Sequence, residues 1–147
     1  MKSLRISALV LSLLLFSSVY AYDLTSSGDD ESVKVAITDY SKGIDNRNTE
    51  TLEKVTYPSA HFLNFNKVTN KITEMDINEL LELIKKGRAG GWDRELNISS
   101  VDINENTAVA KVEMKDAKLK QTGYVTLVKE NGAWKIMGGV YTLETLK

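Results

Sequence analysis

Apolar residues in the stretch after position 30 recur at steps of four, three and four, the spacing of one face of a helix. This face consists of Val33, Ile37, Tyr40 and Ile44. The pattern predicts a helix that begins at Glu31, and Asp29 or Asp30 is expected to cap its first turn with a side-chain carboxylate.

Two further stretches have apolar stripes of helical spacing and a capping residue at their start. Asn48 is predicted to cap a short helix, which ends before Pro58 because the residue preceding a proline is pushed out of the helical region. Asp76, followed three residues later by Glu79, forms a capping box that opens the other helix. The stripes are Leu52 and Val55 in the first helix and Ile77, Leu80, Leu81 and Ile84 in the second.

Most other apolar positions alternate with polar ones, which is the period of a strand with one buried face. A strand over residues 61–66 is followed by a turn at Thr69-Asn70 and a brief strand to Glu74, and Asn131-Gly132 predicts a tight hairpin. Four long strands are predicted over residues 94–103, 107–115, 122–129 and 133–142. Short turns favour antiparallel pairing of neighbours, so we predict an α+β fold whose sheet buries one face against the helices.

The first 21 residues have the features of a secretory signal peptide. Lys2 and Arg5 precede an apolar run, and Val19 and Ala21 are small residues at the cleavage positions. The run is shorter than the roughly 20 apolar residues needed to cross a bilayer. We therefore expect a secreted or periplasmic protein that leaves the membrane after cleavage, with a flexible leader over residues 22–30 and one domain over residues 31–147.

The charge and composition of the chain limit the classes of partner and of metal site that we expect for it. Two of the 19 basic residues and none of the 20 acidic ones lie in the signal peptide, so the remaining chain has a net charge of −3, which disfavours a nucleic-acid partner. The chain has no cysteine and a single histidine, His61, so thiolate or histidine-rich metal sites are not expected within one chain. Asn97-Ile98-Ser99 fits a glycosylation acceptor, which would matter only in a eukaryotic host.

Four short motifs follow one another along the chain. They are Tyr40-Ser41-Lys42-Gly43-Ile44-Asp45, Tyr57-Pro58-Ser59-Ala60, Thr107-Ala108-Val109-Ala110-Lys111-Val112 and Gly132-Ala133-Trp134-Lys135-Ile136. Their order and spacing resemble the nuclear-transport-factor-2-like superfamily, in particular its lumazine-binding branch, which usually has His-Pro-Asp-Ala at the second motif. The resemblance implies a cone-shaped, curved antiparallel sheet with three helices from the N-terminal half packed in its concave face.

The steroid isomerases of this superfamily offer a test of catalysis. They use a tyrosine on the first helix, an acidic donor on a late strand and an aspartate base on the first strand. The resemblance places Tyr40, Tyr124 and Asn64 at these three positions. A carboxamide cannot accept a proton near neutral pH, so the isomerase reaction is not expected here.

The same resemblance implies a pocket for a small organic ligand. Its predicted lining is Tyr40, Phe62, Asn64, Trp92, Tyr124 and Tyr141. The tyrosines are equally compatible with ordinary core packing. Trp92, which follows two glycines, is either a lid over the pocket or an anchor that holds its loop to the core, whereas His61 has the opposite strand parity and is expected to face away.

Three functions are compatible with this pattern. The first is an exported domain that binds a small molecule in an apolar pocket, without catalysis, cofactor or metal. The second is a cyclase, dehydratase or isomerase-like enzyme that uses Tyr40 and Tyr124 as donors and a carboxylate as base. The third is a protein-interaction domain that forms a homodimer through the outer face of its sheet.

Overall fold

The computed structural model describes residues 28–147, so the predicted signal peptide and most of the predicted leader lie outside the described residues. Residues 32–147 form one compact unit, which contains all the features discussed below except the start of the first helix. That helix, α1, already includes residues 28–30. Asp29 and Asp30 therefore lie inside the helix and do not cap it, which corrects the sequence prediction at this end.

The described residues contain three helices. The first, α1, spans residues 28–45, α2 spans Thr49–Val55, and α3 spans Ile77–Lys85. The predicted caps are confirmed, since Asn48 Oδ1 accepts from the Thr51 N–H at 3.0 Å and Asp76 Oδ1 accepts from the Glu79 N–H at 2.8 Å. No helix in this part of the chain is long and apolar enough to span a membrane.

Six strands form one curved, open sheet. They are β1 (Thr56–Asn66), β2 (Lys71–Asp76), β3 (Glu95–Asn104), β4 (Thr107–Lys115), β5 (Leu119–Glu130) and β6 (Ala133–Thr145), in the spatial order β2-β1-β6-β5-β4-β3. Neighbours pair antiparallel except β1 and β6, which pair parallel. The α+β prediction is confirmed, although β1 begins five residues before the predicted strand.

The core lies between the helices and one face of the sheet. The helices contribute the predicted stripes, and the long strands contribute alternate residues such as Ala110 and Val112 of β4 and Val125 and Leu127 of β5. In β6 the alternation changes phase, because Met137 is an extra residue between the pairs Leu127–Ile136 and Thr126–Gly138. Beyond this bulge Tyr141, not Val140, faces inward.

Candidate functional site

A cavity of about 600 Å³ lies between α1, α3 and the inner face of the sheet, a size typical of small-molecule sites. Its apolar lining includes Ile44, Met75, Leu80, Met114, Leu119 and Leu143. Trp92 and Leu119 are partly exposed, so the cavity reaches the surface beside them. The cavity is therefore an apolar cup whose few polar groups determine what could be oriented inside it.

Tyr141 presents an unpaired hydroxyl to this cavity. The residue is 2% exposed, and its hydroxyl has no hydrogen-bond partner among the described residues. Gly123 and Gly139 make room for the ring, since a Cβ at either position would lie within 2.8 Å of a Tyr141 side-chain atom. Burial raises the pKa of the Tyr141 phenol, and the Arg94 charge offsets only part of this effect. The group is thus a neutral donor or acceptor that lacks a partner in residues 28–147.

Tyr40 and Phe62 form an aromatic wall. Their rings are stacked, with centroids 5.4 Å apart and planes inclined by 19°. Burial raises the pKa of the Tyr40 phenol well above its ordinary value, and the neighbouring Tyr141 raises it further. This wall offers a flat apolar surface edged by a second neutral hydroxyl.

Arg94 and Asp45 form a buried ion pair behind the wall. Arg94 Nε donates to Asp45 Oδ1 at 2.6 Å, and Arg94 Nη2 donates to the Ser41 carbonyl at 3.4 Å. Both side chains are almost fully buried, and Arg94 lines the cavity. Asp45 Oδ2 and Ser41 Oγ have no hydrogen-bond partner among the described residues, although Lys42 Nζ lies 4.0 Å from Asp45 Oδ2. The cavity thus has a fixed guanidinium at its wall.

The loop over residues 86–94 is held by Arg47. Arg47 Nε donates to the Ala89 carbonyl and Nη2 to the Gly90 carbonyl, each at 3.2 Å, and the Gly91 N–H donates to the Asp45 carbonyl at 2.8 Å. These hydrogen bonds hold the loop so that Trp92 lies at the cavity, with the centroid of its ring 4.9 Å from Arg94 Cζ. Trp92 is therefore a half-exposed aromatic side chain at the cavity edge, stacked on the cation of the buried pair.

Amide and charged groups also line the cavity. Gln121 Nε2 donates to Asn64 Oδ1 at 3.0 Å, which fixes both amides in the lining. Asp116 also lines the cavity, and the N–H groups of Lys118 and Leu119, which donate to its carboxylate, lower its pKa. No cluster of three or more potential metal ligands occurs within residues 28–147.

The structure brings five of the six predicted pocket residues together. Those in the lining are Tyr40, Phe62, Asn64, Trp92 and Tyr141. Tyr124 is a correction: it is 54% exposed on the outer face, because its neighbours Gly123 and Val125 in β5 take the inward positions. His61 also faces outward, beside Glu74 on β2.

The Asp45–Arg94 pair and Gln121 are lining or supporting residues that the sequence pattern did not predict. Asp45 is the last residue of the first of the four motifs. It follows Ser41 by four residues and therefore lies on the same buried face of α1, a spacing that could have indicated its burial. Arg94 follows a glycine-rich loop, where a charged residue is ordinarily solvated. Its burial follows from the approach of that loop to α1.

Solved structures share this fold at low sequence identity. An NTF2-like protein of unknown function from Silicibacter pomeroyi has a TM-score of 0.71 at 17% identity, over 81% of this chain and 98% of that chain. One from Shewanella baltica has a TM-score of 0.68 at 18% identity, over 80% and 95%. A cystatin-like domain from Nostoc punctiforme has a TM-score of 0.62 at 14% identity, over 82% and 79%. These likenesses show the fold alone.

Sequence comparison gives the family. No curated protein matches this chain significantly in sequence. The family model described as "Putative lumazine-binding" matches residues 28–142, which is well over half of the chain. The chain therefore belongs to this family, and its fold is that of the NTF2-like and cystatin-like structures.

Proposed function

We propose that this domain binds a small organic molecule in the cavity between α1, α3 and the sheet, without transforming it. The observation that carries the proposal is the unpaired hydroxyl of Tyr141, buried in an apolar cavity of about 600 Å³. A buried polar group without a partner costs free energy, and a ligand atom that bonds it would remove that cost. Membership of a family named for lumazine binding supports a small ligand.

Binding is favoured over catalysis by the charged groups of the lining. The cyclase or dehydratase considered above would use a carboxylate of the lining that accepts a proton near neutral pH, since the single histidine, His61, faces outward. Asp116 lines the cavity, but its pKa is lowered by two backbone N–H donors, which makes it a weak base. Tyr124, the second predicted donor, lies on the outer face, so the proposed pair of catalytic tyrosines is not assembled.

A cavity-filling substitution tests the proposal. Leu143→Trp should fill part of the cavity, whereas Val140→Trp adds the same side chain to the outer face of β6. We expect native mass spectrometry or a thermal-shift screen of neutral and acidic aromatic compounds to find a ligand for the wild-type protein and for Val140→Trp, and none for Leu143→Trp. A ligand that binds Leu143→Trp as tightly as wild type, or a screen in which nothing binds the wild-type protein, contradicts the proposal.

We also propose that the domain acts outside the cytoplasm. The support is the sequence of residues 1–21, with its basic start, short apolar run and small residues before Tyr22. Expression of the full chain in a bacterial host should yield a protein in the exported fraction whose intact mass corresponds to a start at Tyr22. A full-length chain retained in the cytoplasm contradicts this proposal.

We further propose that two copies associate through the outer face of the sheet. Phe65 is paired with Ile72, and Tyr124 with Val140, so four exposed apolar side chains lie on adjacent strands of that face. Light scattering should give the mass of a dimer for wild type, and of a monomer for Val140→Lys. Val68→Lys, at an exposed turn, is the matched control and should stay dimeric. A monomeric wild-type protein contradicts the proposal.

A further inference from the structure

The wall of the cavity beside Trp92 offers hydrogen-bond donors that have no acceptor in residues 28–147. A guanidinium has five N–H groups. Arg94 donates its Nε–H to Asp45 and one Nη2–H to the Ser41 carbonyl. Its other three N–H groups have no acceptor among the described residues. The Tyr141 hydroxyl is unpaired as well. Because Arg94 and Tyr141 both line the cavity, these donors are available to whatever occupies it.

Arg94 and Tyr141 line the same cavity, so one ligand can contact both residues. The Arg94 charge lowers the pKa of both Tyr40 and Tyr141, and Tyr141 raises the pKa of Tyr40. Asp45 and the Trp92 ring hold the guanidinium in place, on its edge and on its face. A fixed guanidinium and a buried hydroxyl form a donor set that suits an acceptor group of a ligand.

The charges around Arg94 favour a negatively charged acceptor. Asp45 balances Arg94, and Asp116 faces the cavity near Lys118. Lys42 adds a further positive charge, with Nζ 4.0 Å from Asp45 Oδ2 and 3.4 Å from the Arg94 carbonyl. Lys42 is half exposed and lies outside the lining, which itself holds two cations, Arg94 and Lys118, and one carboxylate, Asp116. An anionic group on a ligand would be attracted by these two cations.

We propose that the ligand is an apolar acid, whose carboxylate binds Arg94 and Tyr141 while its hydrophobic body lies against the stacked rings of Tyr40 and Phe62. This inference rests on the proposed binding function and adds the chemical class of the ligand. The remainder of the cavity fits the assignment, because its wall is mostly aliphatic and the amides of Asn64 and Gln121 already bond each other.

Two probes of the same shape distinguish the contribution of a ligand's charge to binding from the contribution of its apolar contacts. 2-Naphthoate and 2-naphthamide differ in whether the end group is a carboxylate or a neutral amide. Titration calorimetry of the full protein at neutral pH should show that naphthoate binds about tenfold tighter or more, since bonds to an ionised group are roughly twice as strong as neutral ones. The fluorescence of Trp92, which stacks on Arg94, should change on binding.

Two variants and one control test which side chains cause the preference for naphthoate over naphthamide. Tyr141→Phe removes one hydroxyl that has no protein partner, and it should reduce the preference for naphthoate several-fold. Tyr124→Phe is the matched control, because it makes the same change on the outer face and should leave the preference intact. Asp45→Asn combined with Arg94→Gln removes both buried charges together and should bring the ratio of the two affinities close to one.

The outcomes separate this inference from the function on which it rests. Equal affinity of wild type for the two probes, or an unchanged preference in Tyr141→Phe, overturns the assignment of an acid and leaves small-molecule binding standing. Failure of both probes and of every screened compound to bind wild type overturns the binding function and this inference with it. If the double variant does not fold, the comparison of wild type, Tyr141→Phe and Tyr124→Phe decides.

Discussion

Asp45 and Arg94 are the charged residues with the deepest burial in residues 28–147, and each depends on the other. Moving an ion out of water costs several kcal/mol, and the attraction of a close partner offsets that cost only while both partners are present. Here the contact is short, with Nε 2.6 Å from Oδ1. The pair also joins α1 to the loop that precedes β3, so it fixes one wall of the cavity.

Removal of either charge alone should therefore destabilise the fold strongly. We expect Asp45→Asn and Arg94→Gln each to lower the free energy of unfolding by about 3–5 kcal/mol, because each leaves an unpaired charge in the interior. The double variant should lose clearly less than the sum of the two. Urea denaturation measures all three values. The exposed pair Lys67–Glu144 is the control, where Glu144→Gln should cost about 0–1 kcal/mol; additive losses at Asp45 and Arg94 would contradict the coupling.

Among the elements, β6 does most to determine which side chains enter the cavity. Its bulge at Met137 reverses the alternation, so that Tyr141 and Leu143 face inward where a regular strand would present Val140. The backbone of Gly138, the next residue, comes close to the parallel strand β1, and a Cβ there would collide with the His61 carbonyl oxygen. Gly138 is thus required for the close parallel pairing that follows the bulge.

Replacing Gly138 with alanine should lower the free energy of unfolding more than the same replacement at another glycine whose φ angle is positive. The added Cβ of Gly138→Ala forces β1 and β6 apart. This collision should lower the free energy of unfolding by about 1–3 kcal/mol, in addition to the cost of holding an alanine at a positive φ angle. Gly132→Ala is the control, because its φ is +80° but a Cβ there meets nothing within 4 Å. Chemical denaturation compares the two variants. Equal losses would show that the contact with His61 carries no cost.

The loop over residues 86–94 should be ordered by Arg47. Arg47→Ala removes the side-chain donors to the carbonyls of Ala89 and Gly90, so the loop keeps fewer bonds to α1, among them the Gly91 N–H bond to the Asp45 carbonyl. We expect faster amide hydrogen exchange in residues 87–94 and a lower fluorescence anisotropy of Trp92, with α3 unchanged. Lys86→Ala, which removes only an exposed pair with Glu82, should leave both measurements as in wild type. Unaltered exchange in Arg47→Ala would contradict this role.

The helices and most strands could be predicted from sequence because each is encoded locally. Periodicity placed the stripes of α1 and α3, side-chain caps placed the starts of α2 and α3, and Asn131-Gly132 supplied the two positive φ angles of the hairpin. The parallel pairing of β1 with β6 and the bulge at Met137 depend on contacts between distant segments. Tyr124 was assigned to the pocket by the resemblance alone, whereas the regular alternation of β5, with Val125 and Leu127 inward, puts it on the outer face.

At the scale of residues 32–147, the cavity draws its lining from helices, strands and one loop. Tyr40, Phe62 and Asn64 could be predicted because a helix face and a strand parity determine where each points. Arg94 could not, because no local pattern shows that its loop folds against α1. The cavity thus combines a locally encoded apolar wall with a charged group positioned by tertiary contacts.

The two buried phenols should make the stability of the whole domain sensitive to alkaline pH. Burial raises the pKa of Tyr40 and of Tyr141 above the ordinary value of 10.0. Below about pH 10 both phenols hold their protons in the folded and the unfolded chain, so they contribute nothing to a pH dependence. Above it the unfolded chain releases these protons while the folded chain keeps them, and the free energy of unfolding therefore falls as pH rises.

Substitution of one phenol should make that fall shallower. We expect Tyr141→Phe to lose less stability than wild type between about pH 9 and about pH 11, because one proton that only the folded state retains has been removed. Tyr124→Phe removes an exposed phenol and should follow the wild-type slope. Urea midpoints across this range measure the slopes, and the lysines, which ionise in the same range, are common to all three proteins. A slope in Tyr141→Phe as steep as that of wild type would show that the Tyr141 hydroxyl is not held protonated in the folded cavity.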